Sequence, residues 1–226
     1  MRLFWKIGIP GVVVVIIGLR LFVGEIANVP TGSMYPTLII GDWVWVDKTA
    51  YGARLPRRLA DVPILNVFTW IKPLREADQG NDWGYRRVRG KRMPRVNDIV
   101  VFESSEEPKL LLVKRITERL KAGDTVFVNS RNFYSMRKIF DEEKKDGFLR
   151  RDTVFIDRRP DSLIVLSQPY YFMLGDNRDN SADSRVFGYV PYSAVVGRTR
   201  LVFISVNMKR RFMDFVRWDR VMKRVE

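Results

Sequence analysis

Residues 30–38, Pro-Thr-Gly-Ser-Met-Tyr-Pro-Thr-Leu, contain a serine in the surroundings of a nucleophile. Ser33 lies between Gly32 and a Met-Tyr-Pro turn, which constrains the backbone as an exposed nucleophile requires. A serine hydroxyl also needs a base to take its proton. An ordinary polar loop has the same composition, so Ser33 is a candidate whose partner must be found elsewhere in the chain.

That base must be a lysine, an acid or a tyrosine, because the 226-residue chain contains no histidine and no cysteine. Lys114 follows the apolar run 110–113. Burial disfavours an ammonium and lowers the pKa of lysine, and a neutral amine is a competent base. The alternative is a lysine that emerges into solvent at the end of a strand.

Residues 175–185, Gly-Asp-Asn-Arg-Asp-Asn-Ser-Ala-Asp-Ser-Arg, combine turn formers, acids and arginines. This density predicts a hydrogen-bonded scaffold around a site. Clusters of Asp and Asn also suit hard cations, but the interior arginines and the missing final glutamate argue against that alternative. We therefore expect no metal and no cofactor, and the absence of cysteine excludes thiolate sites and disulfides.

Short runs rich in Val, Ile, Phe, Trp and Tyr recur between turn residues and predict a mainly β fold with an antiparallel catalytic body. The runs are residues 43–46, 99–102, 110–113, 125–128, 153–156, 163–166, 170–174 and 195–204. Helices and strands do not alternate, which disfavours a parallel doubly wound sheet. Residues 51–95 predict a long hairpin or loop excursion. Residues 120–168 predict a small inserted β subdomain, whose stretch 130–151 we expect to be exposed.

Residues 7–19 form an uncharged apolar run between Lys6 and Arg20. If both cations snorkel outward, the run extends to residues 4–23 and predicts one transmembrane helix in an anchor of residues 1–25. A cleaved signal peptide is the alternative, but residues 24–27, Gly-Glu-Ile-Ala, lack a good A-x-A-like site. The positive N-terminus places the rest of the chain outside the cytoplasm.

The net charge of +14 suits either nucleic acid or anionic phospholipid. The apolar N-terminal run favours the membrane, so we expect phospholipid contact and no nucleic-acid partner. Residues 206–226 interleave apolar and basic residues, which predicts a basic amphipathic helix lying on the membrane or packed on the body. Residues 26–205 are then the catalytic domain.

Together the segments resemble the bacterial type I signal peptidases, which are serine proteases with a Ser–Lys pair. Residues 31–38 resemble the nucleophile box, 97–102 a conserved strand, 114–115 the base box and 175–185 the most distinctive box, in the family's order and spacing. Residues 116–122 depart from the family, because they lack its Gly- and Pro-containing turn. Lys121 is a weaker candidate base, since no apolar run precedes it.

The resemblance implies a role for each residue. Ser33 is the nucleophile, Lys114 the general base, and Ser181 a hydroxyl that orients the lysine amine. The backbone N–H of Ser33 and the hydroxyl of Thr31 form the oxyanion hole. Asp176 supports the loop, and Asp183 and Arg185 form a structural ion pair.

The resemblance also implies the substrate, an exported precursor whose signal peptide binds extended and is cut after small residues, Ala-x-Ala. Its shallow apolar pockets are lined by residues such as Val29, Met34, Leu38 and Val113. The implied location is the outer, periplasmic side of the bacterial inner membrane, next to the protein-export machinery. Two alternatives stay open: a specialised peptidase of the same superfamily that matures conjugative pilins, and a basic membrane-binding protein without catalysis.

Overall fold

The computed structural model describes residues 11–104, 110–160, 162–207 and 215–225. Residues 11–18 are helical, and a π-helical turn, Leu19–Val23, follows them. Within the described residues, no helix has the length and apolar character needed to cross a membrane. Residues 4–10 of the predicted span lie outside the described part.

The described strands, in chain order, are β1 Gly24–Asn28, β2 Asp42–Asp47, β3 Ile99–Glu103, β4 Leu111–Leu120, β5 Thr125–Phe127, β6 Gly147–Arg150, β7 Thr153–Ile156, β8 Arg159–Pro160, β9 Leu163–Val165, β10 Tyr170–Leu174, β11 Val190–Pro191, β12 Val195–Ser205 and β13 Lys223–Arg224. The helices are α1 Lys72–Gly80, α2 Phe133–Glu142 and α3 Ser184–Phe187. Each apolar run predicted as a strand contributes to one. The prediction of a mainly β, antiparallel fold is therefore confirmed.

The largest sheet is antiparallel and has the order β1-β2-β12-β3-β4-β10-β11, with β13 paired to β12. Strand β1 overlaps the end of the predicted anchor, because it pairs with β2 from Gly24 onward. The loop between β1 and β2 carries Ser33, and β4 carries Lys114. The fold thus brings two distant motifs to neighbouring parts of one sheet.

Side-chain alternation along the central strands creates a separate apolar cluster on each face. Val101 and its partner Val113 belong to one cluster, and Val100 and Ile116 belong to the other. Burial of a side chain of this size stabilises the fold by about 1.5–3 kcal/mol. Apolar side chains therefore pack on both faces of the sheet around Lys114.

Two small sheets, β5-β9 and β6-β7-β8, lie in the segment predicted as an inserted subdomain. Residues 130–151 were expected to be exposed, and this expectation is wrong for α2. The helix buries Phe133, Met136, Ile139 and Phe140 in a third apolar cluster. Their spacing of three and four residues places them on one helical face.

Residues 51–95 have a hairpin-like base, where Arg54 and Arg87 form an antiparallel bridge. Between the two sides of this base, the segment contains α1 and the 3-10 turns Leu59–Asp61 and Leu65–Trp70, which the prediction of a long hairpin or loop did not specify. The sequence conceals α1 because it is short and has a proline in its first turn.

The predicted amphipathic helix in residues 206–226 is wrong for residues 215–225, whereas residues 208–214 lie outside the described part. The described residues form a 3-10 turn, Trp218–Arg220, and then β13. Backbone pairing with β12 and a buried ion pair between Arg220 and Asp42 account for this conformation. Alternating basic and apolar residues fit such an edge strand as well as a helix.

Candidate active site

Ser33 lies in a loop that is pinned to the core by its neighbours. Met34 and Leu38 are buried, and the Leu38 N–H donates to the Met34 carbonyl at 2.9 Å. The Tyr35 N–H donates to the Gly32 carbonyl at 3.1 Å, which closes a tight turn around Ser33. The serine itself is half-buried at the surface of this anchored loop.

Lys114 projects from β4 and reaches that serine, with its Nζ 2.7 Å from Ser33 Oγ. The lysine is only 3% exposed. Burial lowers its pKa below the ordinary lysine value, and the negative charge of Asp183 opposes that shift only in part. The arrangement is a hydroxyl in contact with an amine whose neutral form is favoured.

The loop after β10 contacts the backbone of the loop that carries Ser33. We call this second loop, between β1 and β2, the serine loop. The Asn177 N–H donates to the Ser33 carbonyl at 3.0 Å, and its side-chain amide donates to the Gly32 carbonyl at 3.1 Å. A Cβ at Gly175 would lie 2.5 Å from the Ser33 carbonyl oxygen, so only glycine allows this approach. These contacts hold the backbone of Gly32 and Ser33 against the loop after β10.

Asp176 ties three segments together. Arg115 binds its carboxylate through two N–H groups, at 2.8 and 2.9 Å, and the Thr37 hydroxyl donates to it at 2.5 Å. Burial alone raises the pKa of Asp176, but these hydrogen bonds outweigh it and hold the pKa below its ordinary value. A charged, bidentate pair of this kind is among the stronger hydrogen-bonded arrangements.

Asp183 and Arg185 form an ion pair, with a 2.9 Å contact from Arg185 Nε to a fully buried carboxylate. The carboxylate also accepts the Gly175 N–H at 3.1 Å. Burial alone raises the pKa of Asp183, but the bonds from Arg185 and Gly175 lower it to about 2. The charged form of Asp183 is therefore retained behind Lys114.

Thr31 lies beside the serine as its predicted oxyanion role requires, whereas the predicted contact of Ser181 is missing. The Thr31 hydroxyl is exposed and lies 3.4 Å from Ser33 Oγ. The buried Ser181 Oγ has no hydrogen-bond partner among the described residues, so it does not form the expected contact with Lys114. It lies instead beside Gly175, where it occupies the space that a Cβ would need.

Comparison with known proteins decides the family. The model of the family described as "Signal peptidase, peptidase S26" matches residues 4–204. The chain belongs to the signal peptidase family. It is therefore a hydrolase that removes signal peptides, and exported precursor proteins are its substrates.

Several bacterial relatives are similar to the chain over most of its length. Signal peptidase I of Pseudomonas aeruginosa is 28% identical, covering 86% of this chain and 69% of the relative. Signal peptidase I of Helicobacter pylori is 24% identical, covering 96% of this chain and 90% of the relative. A probable signal peptidase I-2 of Synechocystis is 28% identical, with shares of 86% and 69%.

The residues expected to line pockets in this signal peptidase lie in one buried cluster. Exposure is 9% for Val113 and 3% or less for Val29, Met34 and Leu38. Ala27 and Leu111 are partly buried against the same cluster. The four predicted residues are therefore part of the buried core, and these two are more exposed.

The interpretation of the sequence missed several side chains that organise the site. Asn177, Thr37 and Arg115 were all within the quoted motifs but had no assigned role. Arg220 was missed altogether, although it donates to both oxygens of Asp42 at 3.1 and 2.6 Å and to the Thr37 carbonyl at 3.1 Å. The local sequence Trp218-Asp219-Arg220-Val221 gave no signal for a buried role, because an arginine next to an aspartate is also common on surfaces.

Proposed function

We propose that this signal peptidase is a membrane-attached serine endopeptidase that uses Ser33 as nucleophile and Lys114 as general base. The observation that carries the proposal is the 2.7 Å contact between Lys114 Nζ and Ser33 Oγ, made by a buried lysine with a lowered pKa. Such a pair supplies the two groups that covalent acyl transfer requires. The chain contains no histidine to take the place of this lysine.

The reaction follows from these two atoms. Ser33 Oγ attacks the peptide carbonyl carbon while its proton moves to Lys114 Nζ. The negatively charged oxygen accepts hydrogen bonds from the Ser33 N–H and the Thr31 hydroxyl. Lys114 then gives the proton to the leaving amine as the peptide bond breaks. Water attacks the resulting ester while the neutral lysine removes its proton, and the lysine returns that proton to Ser33 Oγ as the ester bond breaks. The lysine ends each half-reaction in its starting state.

The remaining residues of the site position this pair. Asp176 holds the loop after β10 against the serine loop through Thr37, and the Asp183–Arg185 pair stabilises the former loop internally. Ser181 fills the space beside Gly175. The apolar cluster that contains Val29, Met34, Leu38 and Val113 supports shallow apolar pockets for the small residues of an Ala-x-Ala segment, because these side chains are already packed together.

We infer further that residues 1–25 anchor the enzyme in the bacterial inner membrane, with the catalytic domain, residues 26–205, on the outer side. The exposed apolar side chains of residues 12–23 support this assignment, because they have no packing partner in the body. The precursor is then presented where it emerges from the export machinery, and phospholipid surrounds the anchor. In the described part of the tail, residues 223–224 pair with β12 of the body.

Cleavage of a synthetic precursor ending its signal peptide in Ala-x-Ala tests the mechanism. Ser33→Ala and Lys114→Ala are each expected to abolish cleavage while the circular dichroism spectrum stays unchanged. Lys121→Ala is the matched control, because Lys121 is exposed at the end of β4, and it should retain full activity. Near-normal cleavage by either site variant would exclude that residue from its role.

A further inference from the structure

Residues 59–80 carry large apolar side chains on the outside of the protein, and we call this set the 59–80 surface. Its exposed members are Ile64, Val67, Phe68, Trp70, Ile71 and Leu74. Trp70 is 83% exposed, the largest value among the exposed large apolar side chains of the described residues. Clustered exposure of this kind indicates a contact with a partner or a membrane.

The burial pattern of this segment is the reverse of the usual one. Its buried residue is Asp78, which is 8% exposed. The Asp78 carboxylate accepts the N–H groups of Leu59 at 2.6 Å and Ala60 at 3.1 Å, so it joins the two ends of the segment. The acid is used to hold the segment together, and the apolar side chains are left to face outward.

The 59–80 surface lies beside the predicted anchor. Arg20 and Leu21, which follow the helical residues 11–18, line a cavity of about 870 Å³ together with Ile64, Asn66 and Thr69. Residues 12–23 themselves expose apolar side chains. Two exposed apolar regions therefore meet at one side of the molecule.

Charge favours a bilayer with anionic headgroups as the occupant. Residues 51–95 contain eleven Lys or Arg and four Asp or Glu, which is half of the net charge of +14 of the whole chain. Arg58, Lys72 and Arg75 are exposed in or next to the 59–80 surface. Each cation near an anionic surface strengthens binding by about fivefold.

We propose that the 59–80 surface inserts into the headgroup region of an anionic bilayer, as a second membrane contact besides the anchor. The inference rests on the proposed membrane attachment, but it concerns a different element. An interfacial segment places its apolar face about 5–10 Å into the boundary between headgroups and acyl chains. Trp70 is a side chain suited to that depth, because tryptophan is enriched at membrane interfaces. Two contacts would fix the orientation of the body relative to the bilayer.

The absence of cysteine from the natural chain allows a direct test with single labels. Full-length Trp70→Cys, Tyr134→Cys and Val15→Cys variants each carry an environment-sensitive fluorophore in vesicles of phosphatidylcholine with phosphatidylglycerol. Tyr134 is the matched control, since it is 74% exposed on α2. Val15 reports on the anchor. Iodide quenches labels in water, and lipids with a nitroxide high on the acyl chain quench labels in the interface.

The proposal expects the label at position 70 to be quenched by the nitroxide lipid and protected from iodide, and the label at position 134 to show the opposite. Equal iodide access at 70 and 134 would overturn it. Protection of position 70 from both quenchers would also overturn it, because that result indicates contact with a second copy or another protein. Quenching at 15 without quenching at 70 leaves the anchor intact and removes only this inference.

A second readout separates the membrane contact from catalysis. Phe68→Asp with Trp70→Asp should lower cleavage of a membrane-inserted precursor several-fold, while cleavage of a short soluble peptide in detergent stays unchanged. Both side chains are exposed, so folding should be preserved. Equal losses on both substrates would contradict the proposal.

Discussion

Two effects act in opposite directions on the pKa of Lys114. A lysine with an ordinary pKa of about 10.4 is almost fully protonated at neutral pH and cannot act as a base. Its burial lowers the pKa because the ammonium loses hydration, whereas the nearby charge of Asp183 favours the ammonium. The balance between these two effects sets the pH range in which the proposed reaction runs.

The pH dependence of cleavage should report this balance. The neutral amine is populated above the pKa of Lys114, so kcat/KM should rise with pH through an ionisation below that of free lysine. Lys114→Arg should be inactive at every pH, because a guanidinium stays protonated. The measurement is a pH–rate profile on the synthetic precursor. An unchanged rising limb in Lys114→Ala would assign the base to another residue, with Lys121 tested first.

Lys114→Met should inactivate the enzyme and stabilise the fold. The substitution removes a buried amine, keeps its length and adds no polar group, and replacing buried charged groups by apolar ones often stabilises proteins. We expect the melting temperature to rise by about 2–4 °C, which corresponds to about 1 kcal/mol. The folded-state pKa is lowered, so the gain is largest at low pH and shrinks as pH rises towards the unfolded-state value. Lys121→Met serves as the control, and a fall in melting temperature would contradict this account.

At the residue scale, the sequence indicated the two residues of the proposed reacting pair but not their geometry. Ser33 and Lys114 are separated by 81 positions, and neither motif alone distinguishes a site from a loop or strand end. Family resemblance linked the two residues. The weak Thr31 contact and the unpartnered Ser181 were not predictable, because tenths of an ångström in loop packing decide them.

The loop after β10 and the serine loop behave as one unit because Asp176 and Asn177 join them. The Asp176 carboxylate accepts hydrogen bonds from Arg115 on β4 and from Thr37 in the serine loop. The Asn177 N–H donates to the Ser33 carbonyl. Loss of one such contact leaves the other segments in place but less constrained. Small displacements of this kind are costly in catalysis, since reacting atoms must stay within a narrow geometry.

Asp176→Asn should therefore lower kcat more than it changes KM. The amide weakens the bidentate Arg115 contact and removes a charge that is only 15% exposed. We also expect a loss of about 1–3 kcal/mol in the free energy of unfolding. Asp179→Asn is the matched control in the same loop, because Asp179 is exposed. Equal effects of the two substitutions, in steady-state kinetics and urea titration, would refute a positioning role for Asp176.

At the element scale, periodicity identified strands whose side chains alternate between two apolar clusters, such as β3 and β4. It failed for β1 because the strand follows an apolar run directly and looks like the end of the anchor. It failed for α2 because the burial of Phe133 and Met136 depends on packing in a cluster with residues of the two small sheets, such as Val154 and Ile164. Residues 223–224 were also misassigned, because they form β13 only by pairing with the distant strand β12.

The whole molecule relies on buried or half-buried carboxylates that must stay ionised. Hydrogen bonds and arginine partners outweigh burial and lower the pKa of Asp42, Asp98, Asp176 and Asp183. A lowered folded-state pKa gives stability that is present above the unfolded-state value and is lost as pH falls through the folded-state value. The fold should therefore be sensitive to acid, and protonation of these carboxylates would add to a net charge that is already positive.

Acid titration of the melting temperature tests this expectation. Stability should be constant near neutrality, fall from about pH 4 and continue to fall towards pH 2, where Asp183 becomes protonated. Asp183 alone should contribute about 2 kcal/mol, given the difference from its ordinary pKa. Asp183→Asn should be less stable at pH 7 and show a correspondingly smaller fall in acid. A melting temperature that stays level down to pH 2 would disprove the dependence on these carboxylates.

The bond between Arg220 and Asp42 also bears on the protein's own synthesis. Arg220 supports the serine loop from a position 178 residues after Asp42. At about 5–20 residues per second, the ribosome needs roughly 9 to 36 s to make that stretch. Until then the serine loop lacks the contact of Arg220 with the Thr37 carbonyl, and Asp42 lacks its guanidinium partner. A growing chain therefore contains Ser33 long before the Arg220 contacts with Asp42 and the Thr37 carbonyl can form.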